Sequence, residues 1–263
     1  IRDEDDVDLL AACTGTSASG SFTLQNGANL VTNGNFTNNG TLDLGTGYLG
    51  GAGNFTAAGN SSLIIGSVDG ISLSESSGNI QKTGSRTYST TGNYTYNGIE
   101  MQNAGDGLPA VVRSLTVNNP GLVIGASLAV TQTLNLLGGV IHIPDLTLGS
   151  SVSSGTLLRE NGHIHGDFCI WLETTDTEVL FPIGTASHYR PVQLSFDDPH
   201  VSGGSLYLST IYEDPGLVGL PLTDDGTELT NMGTEAYWRL SAEGGLQTGS
   251  YSIGILAAGY GGI

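Results

Sequence analysis

The chain has 263 residues, 41 of them glycine and 8 proline, and its 7 Lys and Arg stand against 25 Asp and Glu for a formal charge of -18. That balance leaves no basic surface for a phosphate backbone and would repel anionic headgroups, and no run of about 18 apolar residues exists, so neither nucleic-acid binding nor membrane insertion is expected. Abundant glycine without a Gly-X-Y period excludes collagen and points to a turn-dense β protein.

In chain order, residues 1–12 are the one stretch with helical character, acids first and Leu9 and Leu10 later, and read as one or two turns or as a linker. Residues 1–16 are taken as an acidic N-terminal segment. From about residue 17 the texture becomes short apolar alternations separated by Gly, Asn, Ser and Thr. Asn-Gly pairs begin at Asn26, Asn33, Asn39, Asn97 and Asn161 and supply positive-φ corners. Gly34-Asn35-Phe36-Thr37 recurs as Gly53-Asn54-Phe55-Thr56, a step of 19, and with Tyr for Phe at Gly92-Asn93-Tyr94-Thr95, a step of 39. Leu122, Leu128, Leu134, Val140 and Leu146 fall every six residues, so three short strands make a turn of 18.

Both rulers give the coil of a β-solenoid, in which successive coils stack through backbone hydrogen bonds and apolar side chains pile into columns. Residues 17–166 would hold about eight coils, a rod of about 40 Å. Phe36, Phe55 and Tyr94 are expected at equivalent positions, with Leu128, Leu134 and Leu146 pointing inward. After residue 167 the strands grow longer and more aromatic and no repeat is detectable, which predicts an antiparallel β-sandwich-like domain over 167–263. The fold class is therefore all-β, a solenoid of about 18–20 residues per coil running into a sandwich-like domain.

Candidate sites are sparse. Gly45-Thr46-Gly47-Tyr48-Leu49-Gly50 matches a dinucleotide fingerprint by letter, but Gly51-Ala52-Gly53 follows where a helix is required, so these glycines read as solenoid corners. His163, His165 and Asp167 alternate on one strand and form a metal-clamp pattern, with His142 near one coil upstream. Asp224, Asp225 and Glu228 flank a Gly turn, and Asp3, Asp5, Asp6 and Asp8 crowd the N-terminus. Hard oxygen ligands of this kind suit Ca²⁺, although neither cluster has the EF-hand register. The sequons at Asn35, Asn39, Asn54, Asn60 and Asn93 would mean N-glycans in a eukaryotic secreted chain and reflect an Asn-, Ser- and Thr-rich composition in a bacterial one. Cys13 and Cys169 lie outside any CxxC pair and read as separate thiols in preference to a bridge.

No catalytic set emerges. The basic residues of 17–166 are Lys82, Arg86, Arg113 and Arg159, and the acids there, Asp43, Asp69, Glu75, Glu100, Asp106, Asp145 and Glu160, are scattered without a close pair. A glycosidase needs two carboxylates on one cleft, and a lyase acting on acidic sugars needs a basic residue as proton acceptor. A polysaccharide lyase or hydrolase is thus the weakest of three readings. A glycan-binding module using Tyr94, Tyr96 or Trp171 as stacking platforms stands above it, and a structural cell-surface segment without catalysis or cofactor stands first.

The residues of the middle and second half also carry a family likeness. Tyr94-Thr95-Tyr96-Asn97-Gly98, Met101-Gln102, Gly107-Leu108-Pro109, Leu115-Thr116-Val117-Asn118-Asn119 and the step-six rows resemble the repeat of very large secreted surface proteins of Bacteroidetes-type bacteria. Phe181-Pro182-Ile183-Gly184, Tyr189-Arg190-Pro191-Val192 and Tyr237-Trp238-Arg239-Leu240 resemble the module that follows that repeat. The resemblance covers about residues 85–255 and implies export by type IX secretion, an extracellular or cell-surface location, and a role as adhesin or filament component. The family supplies no catalytic residues.

The chain opens on Ile1-Arg2-Asp3 and reads as part of something longer, so export signals would lie in its flanks. An uncapped solenoid end invites pairing with another chain. Head-to-tail self-association, or continuation from a neighbouring module, is accordingly expected at the acidic N-terminus. Divalent cations or the basic Arg190 and Arg239 of a partner copy would assist it.

Overall fold

The computed structural model describes residues 7–8, 16–18, 20–24, 27–217, 219–231, 233–234 and 236–256. The protein is all-β, a β-solenoid of about 7 turns over residues 21–170 followed by a small antiparallel region. Early coils carry one short parallel strand on each of three faces. The first face stacks Val7–Asp8, Leu30–Val31, Leu49–Gly51 and Ile80–Lys82. The second stacks Thr16–Ala18, Phe36–Asn38, Phe55–Ala57 and Arg86–Thr87. The third begins with Ser21–Thr23, Thr41–Asp43, Ser62–Ile65 and Asn93–Tyr96, then continues through Val111–Val117, Leu128–Leu136 and Thr156–Arg159. Later strands lengthen until Val140–Leu148 and His163–Leu172 each run along much of a coil, paired in parallel.

In-register stacking turns alternation along the chain into columns across coils. Leu42, Leu63, Tyr94, Leu115 and Leu134 form one buried column. A second runs Val112, Val130, Leu148 and Ile170. Phe36 and Phe55 pair in register with ring centroids 6.3 Å apart, as the 19-residue step predicts. Leu128 pairs with Leu146, as the shorter ruler predicts, and Leu134 is buried as expected.

Several expectations are corrected. Tyr94 stacks on Leu63, whereas the in-register neighbour of Phe55 is Arg86. The cause is an enlarged coil: Asn54 meets Ser85 after 31 residues, where Asn35 meets Asn54 after 19. Val140 is only half-buried, and Ile141 is the residue that stacks under Leu122. Within the supposed helical segment, Val7–Asp8 is a strand on Leu30–Val31. The remainder of residues 1–12 lies outside the described residues. The strand His163–Leu172 runs through the expected 166/167 junction and pairs in parallel with Val140–Leu148.

Corners make the small and amide residues intelligible. Gly53, at φ 95°, sits so close under the previous coil that a Cβ there would lie 2.2 Å from Gly34 O. Asparagine side chains collect backbone donors from the next coil: Asn29 accepts from Tyr48 N–H, Asn33 from Ala52 N–H, Asn35 from Asn54 N–H and Asn54 from Ser85 N–H. The fingerprint-like glycines 45–50 end in the strand Leu49–Gly51 with no helix, as read from sequence.

At its C-terminal end the solenoid changes direction. Gly204–Ile211 pairs antiparallel with His163–Leu172, and Tyr237–Glu243 pairs antiparallel with Gly204–Ile211, so the solenoid sheet continues into the second region. A separate sheet of Glu178–Phe181, Val192–Phe196 and Tyr251–Ile255 packs alongside, with Phe181 edge-on to Phe168 at 5.8 Å. One hydrophobic core spans both regions.

Candidate functional site

The last two rungs of the solenoid bring the most chemistry together. His142 and His165 face each other across the parallel pairing of Val140–Leu148 and His163–Leu172, with Nδ1 to Nδ1 3.1 Å and the rings at 80°. Both side chains point away from the core, because Ile141, Ile143 and Ile164 take the inward positions. Directly after this pair the register shifts, two residues, Ile143 and Pro144, opposing Gly166. Only glycine fits there, since a Cβ on Gly166 would come within 1.8 Å of Ile143 O. The bulge opens a cleft of about 380 Å³ lined by His142, Pro144, His165, Asp167, Thr210 and Tyr212. Burial, then the neighbouring His142 and His163, push the His165 pKa below the usual histidine value and favour its neutral ring.

The sequence-predicted trio does not converge. His163 is buried, and its Nε2 lies 2.8 Å from the Thr185 carbonyl, so this nitrogen donates and is not a free ligand. Burial lowers its pKa too, against the opposing effect of that hydrogen bond. Asp167 accepts from the Tyr207 hydroxyl at 2.8 Å. Among the described residues no three His, Cys, Asp or Glu side chains group to hold a metal ion. The remaining clamp is His142 with His165, a pair that separation by about one coil makes legible.

Stacking also creates an acid pair invisible in the linear sequence. Asp145 is in register with Asp167, and burial first, then the charges of Asp167 and Glu243, raise its pKa. Cys169, in register with Thr147, is a buried free thiol whose pKa burial raises, which favours its protonated form. Cys13, the other cysteine, lies outside the described residues.

The other predicted positions are accounted for singly. Asp225 (φ 40°) and Gly226 (φ 78°) form the left-handed turn of the hairpin Leu222–Asp224 to Thr227–Leu229, with Asp225 and Glu228 exposed. Asp3, Asp5 and Asp6 lie outside the described residues, and Asp8 pairs through its backbone with Val31. Arg190 is buried and so offers no basic patch, whereas Arg239 is exposed on Tyr237–Glu243. Tyr94 and Tyr96, expected as sugar platforms, are in the core, their hydroxyls donating to Ser89 O and Ala104 O. Trp171 alone of the three is partly accessible.

Two of the solenoid's cations are inside. Lys82 is fully buried, with Nζ donating to Thr32 O, Thr32 Oγ1 and Ala52 O. Burial lowers its pKa, while three oxygens around Nζ favour the ammonium. Arg86 donates from Nε to Lys82 O and from one terminal nitrogen to Ser72 O and Glu75 O, tying down the enlarged coil. Comparison with protein-family models, curated proteins and solved structures yields no match.

Proposed function

We propose that this chain is a structural segment of an extracellular bacterial surface protein, an adhesin or filament component that acts by display and assembly without catalysis. The observation that carries the reading is the architecture: about 7 stacked turns, running into antiparallel strands that extend the same sheet. At the usual strand spacing the stack is about 35 Å long, a rigid spacer with a second module at one end. Two of the four basic residues in 17–166, Lys82 and Arg86, are buried and bonded to carbonyls, so they serve coil packing and not substrate. The burial of Tyr94 and Tyr96 weakens the glycan-binding alternative in the same way.

Assembly would proceed head to tail through the edge of the first rung, or that edge would join a neighbouring module. Light scattering on the intact chain and on one lacking residues 1–12, each with and without Ca²⁺, tests this together with electron microscopy. Concentration-dependent mass growth that the deletion abolishes is expected. An intact chain that stays monomeric at high concentration in both buffers overturns self-assembly, and release of reducing ends from any polysaccharide overturns the non-catalytic reading.

A further inference from the structure

We propose that His142 and His165 form a two-histidine site for a borderline first-row dication, Zn²⁺ or Cu²⁺. The argument begins with the bite. Two imidazole nitrogens bound to one such ion at ~2.0–2.1 Å, and 3.1 Å from each other as here, subtend about 100° at the metal, between the octahedral and tetrahedral values. The same Nδ1 atom of each ring faces the partner, so both lone pairs can be directed at a common point. When no ion is bound, a single N–H···N hydrogen bond accounts for the distance.

The two rings stand on neighbouring strands paired residue for residue, and the bulge at Gly166 is locked by its contact with Ile143. A site on such rungs keeps its geometry without reordering. The adjoining cleft, about 380 Å³, has room for waters at the remaining coordination positions. Asp167 lines that cleft; its Oδ2 accepts from Tyr207, and its Oδ1 remains to accept from a coordinated water. Nitrogen ligands select Zn²⁺ or Cu²⁺ and reject Ca²⁺, which takes oxygen. This site is independent of the assembly reading: it sits at the far end of the solenoid from the first rung.

The test uses the full chain after chelator treatment. Calorimetric titration with Zn²⁺ and with Cu²⁺ is expected to show one ion per chain, with Cu²⁺ the tighter. The Cu²⁺ electron paramagnetic resonance spectrum is expected to carry superhyperfine splitting from two imidazole nitrogens. His142→Ala and His165→Ala should each weaken binding at least ~10-fold, because loss of a direct ligand costs no less than loss of an outer-shell partner. His188→Ala, on an exposed loop elsewhere, should leave it unchanged. Failure of the unmodified chain to bind either ion at ~100 µM, roughly the weak end of specific binding, overturns the proposal. So do unchanged affinities in both ligand variants or displacement of the copper signal by Ca²⁺. If a variant misfolds by circular dichroism, the nitrogen count on the unmodified chain decides alone.

Discussion

Phe55 is completely buried between Phe36 and Tyr88, so truncating it removes contacts that no neighbour can replace. Phe55→Ala should lower unfolding free energy by about 3–5 kcal/mol, and Phe55→Asp by more, because an unpaired charge joins the cavity. Ile253, half exposed on Tyr251–Ile255, provides the contrast, and Ile253→Ala should cost under about 1 kcal/mol. Urea titration separates the two. Asp145 gives a pH-dependent case. Its folded pKa is raised above the usual 3.8, so the folded state holds the proton more tightly than the unfolded chain. The resulting stability is complete below the unfolded value and is lost as pH rises through the folded one. Asp145→Asn should therefore raise the melting temperature at neutral pH, with the advantage shrinking as pH falls toward 4. An unchanged difference across that range would mean that Asp145 is not the titrating group.

At the scale of the element, the corners hold the coils in register as much as the columns do. Asn35 and Asn54 each accept a backbone N–H of the following coil at an exposed corner. Asn35→Ala and Asn54→Ala should each cost about 0.5–1.5 kcal/mol, and a double variant should show coupling, because Asn54 both donates its backbone N–H to Asn35 and accepts from Ser85. This dependence on coil length is also where sequence reading succeeds and stops. The 19-residue step is legible because a single 19-residue coil separates Phe36 from Phe55, with the same Gly-Asn pair before each. Tyr94 is misplaced because the loop between Ile65 and Ile80 enlarges one coil, and nothing in a local motif reveals how much chain a corner absorbs. The same ignorance hides Asp145 beside Asp167, whereas His142 and His165 are legible as a near-coil pair. Lys82 is unreadable for another reason: a lysine is assigned outward by hydropathy, and only the converging carbonyls of Thr32 and Ala52 make the inside tolerable.

The whole molecule has unlike ends. At the C-terminal end the strand His163–Leu172 is covered by Gly204–Ile211, and that strand in turn by Tyr237–Glu243. At the N-terminal end the outermost described strands, Val7–Asp8, Thr16–Ala18 and Ser21–Thr23, each pair on one side only among the described residues. A stack in which each coil contacts its neighbours opens from the end with fewer contacts, because the terminal coil loses one interface where an inner coil would lose two. Hydrogen exchange on the dilute chain should therefore show a gradient. The amides of Thr41–Asp43 should exchange before those of Asn93–Tyr96, and those of Ile164–Leu172 last. Equal protection along the stack would mean that the solenoid opens as one unit and that the first rung is not a weak edge. The same measurement joins the gradient to assembly. If copies add head to tail, raising the concentration should slow exchange at Ser21–Thr23 and Thr41–Asp43 while leaving Ile164–Leu172, already paired on both sides, unchanged. Slowing confined to the C-terminal region would place the contact elsewhere and overturn the proposed polarity.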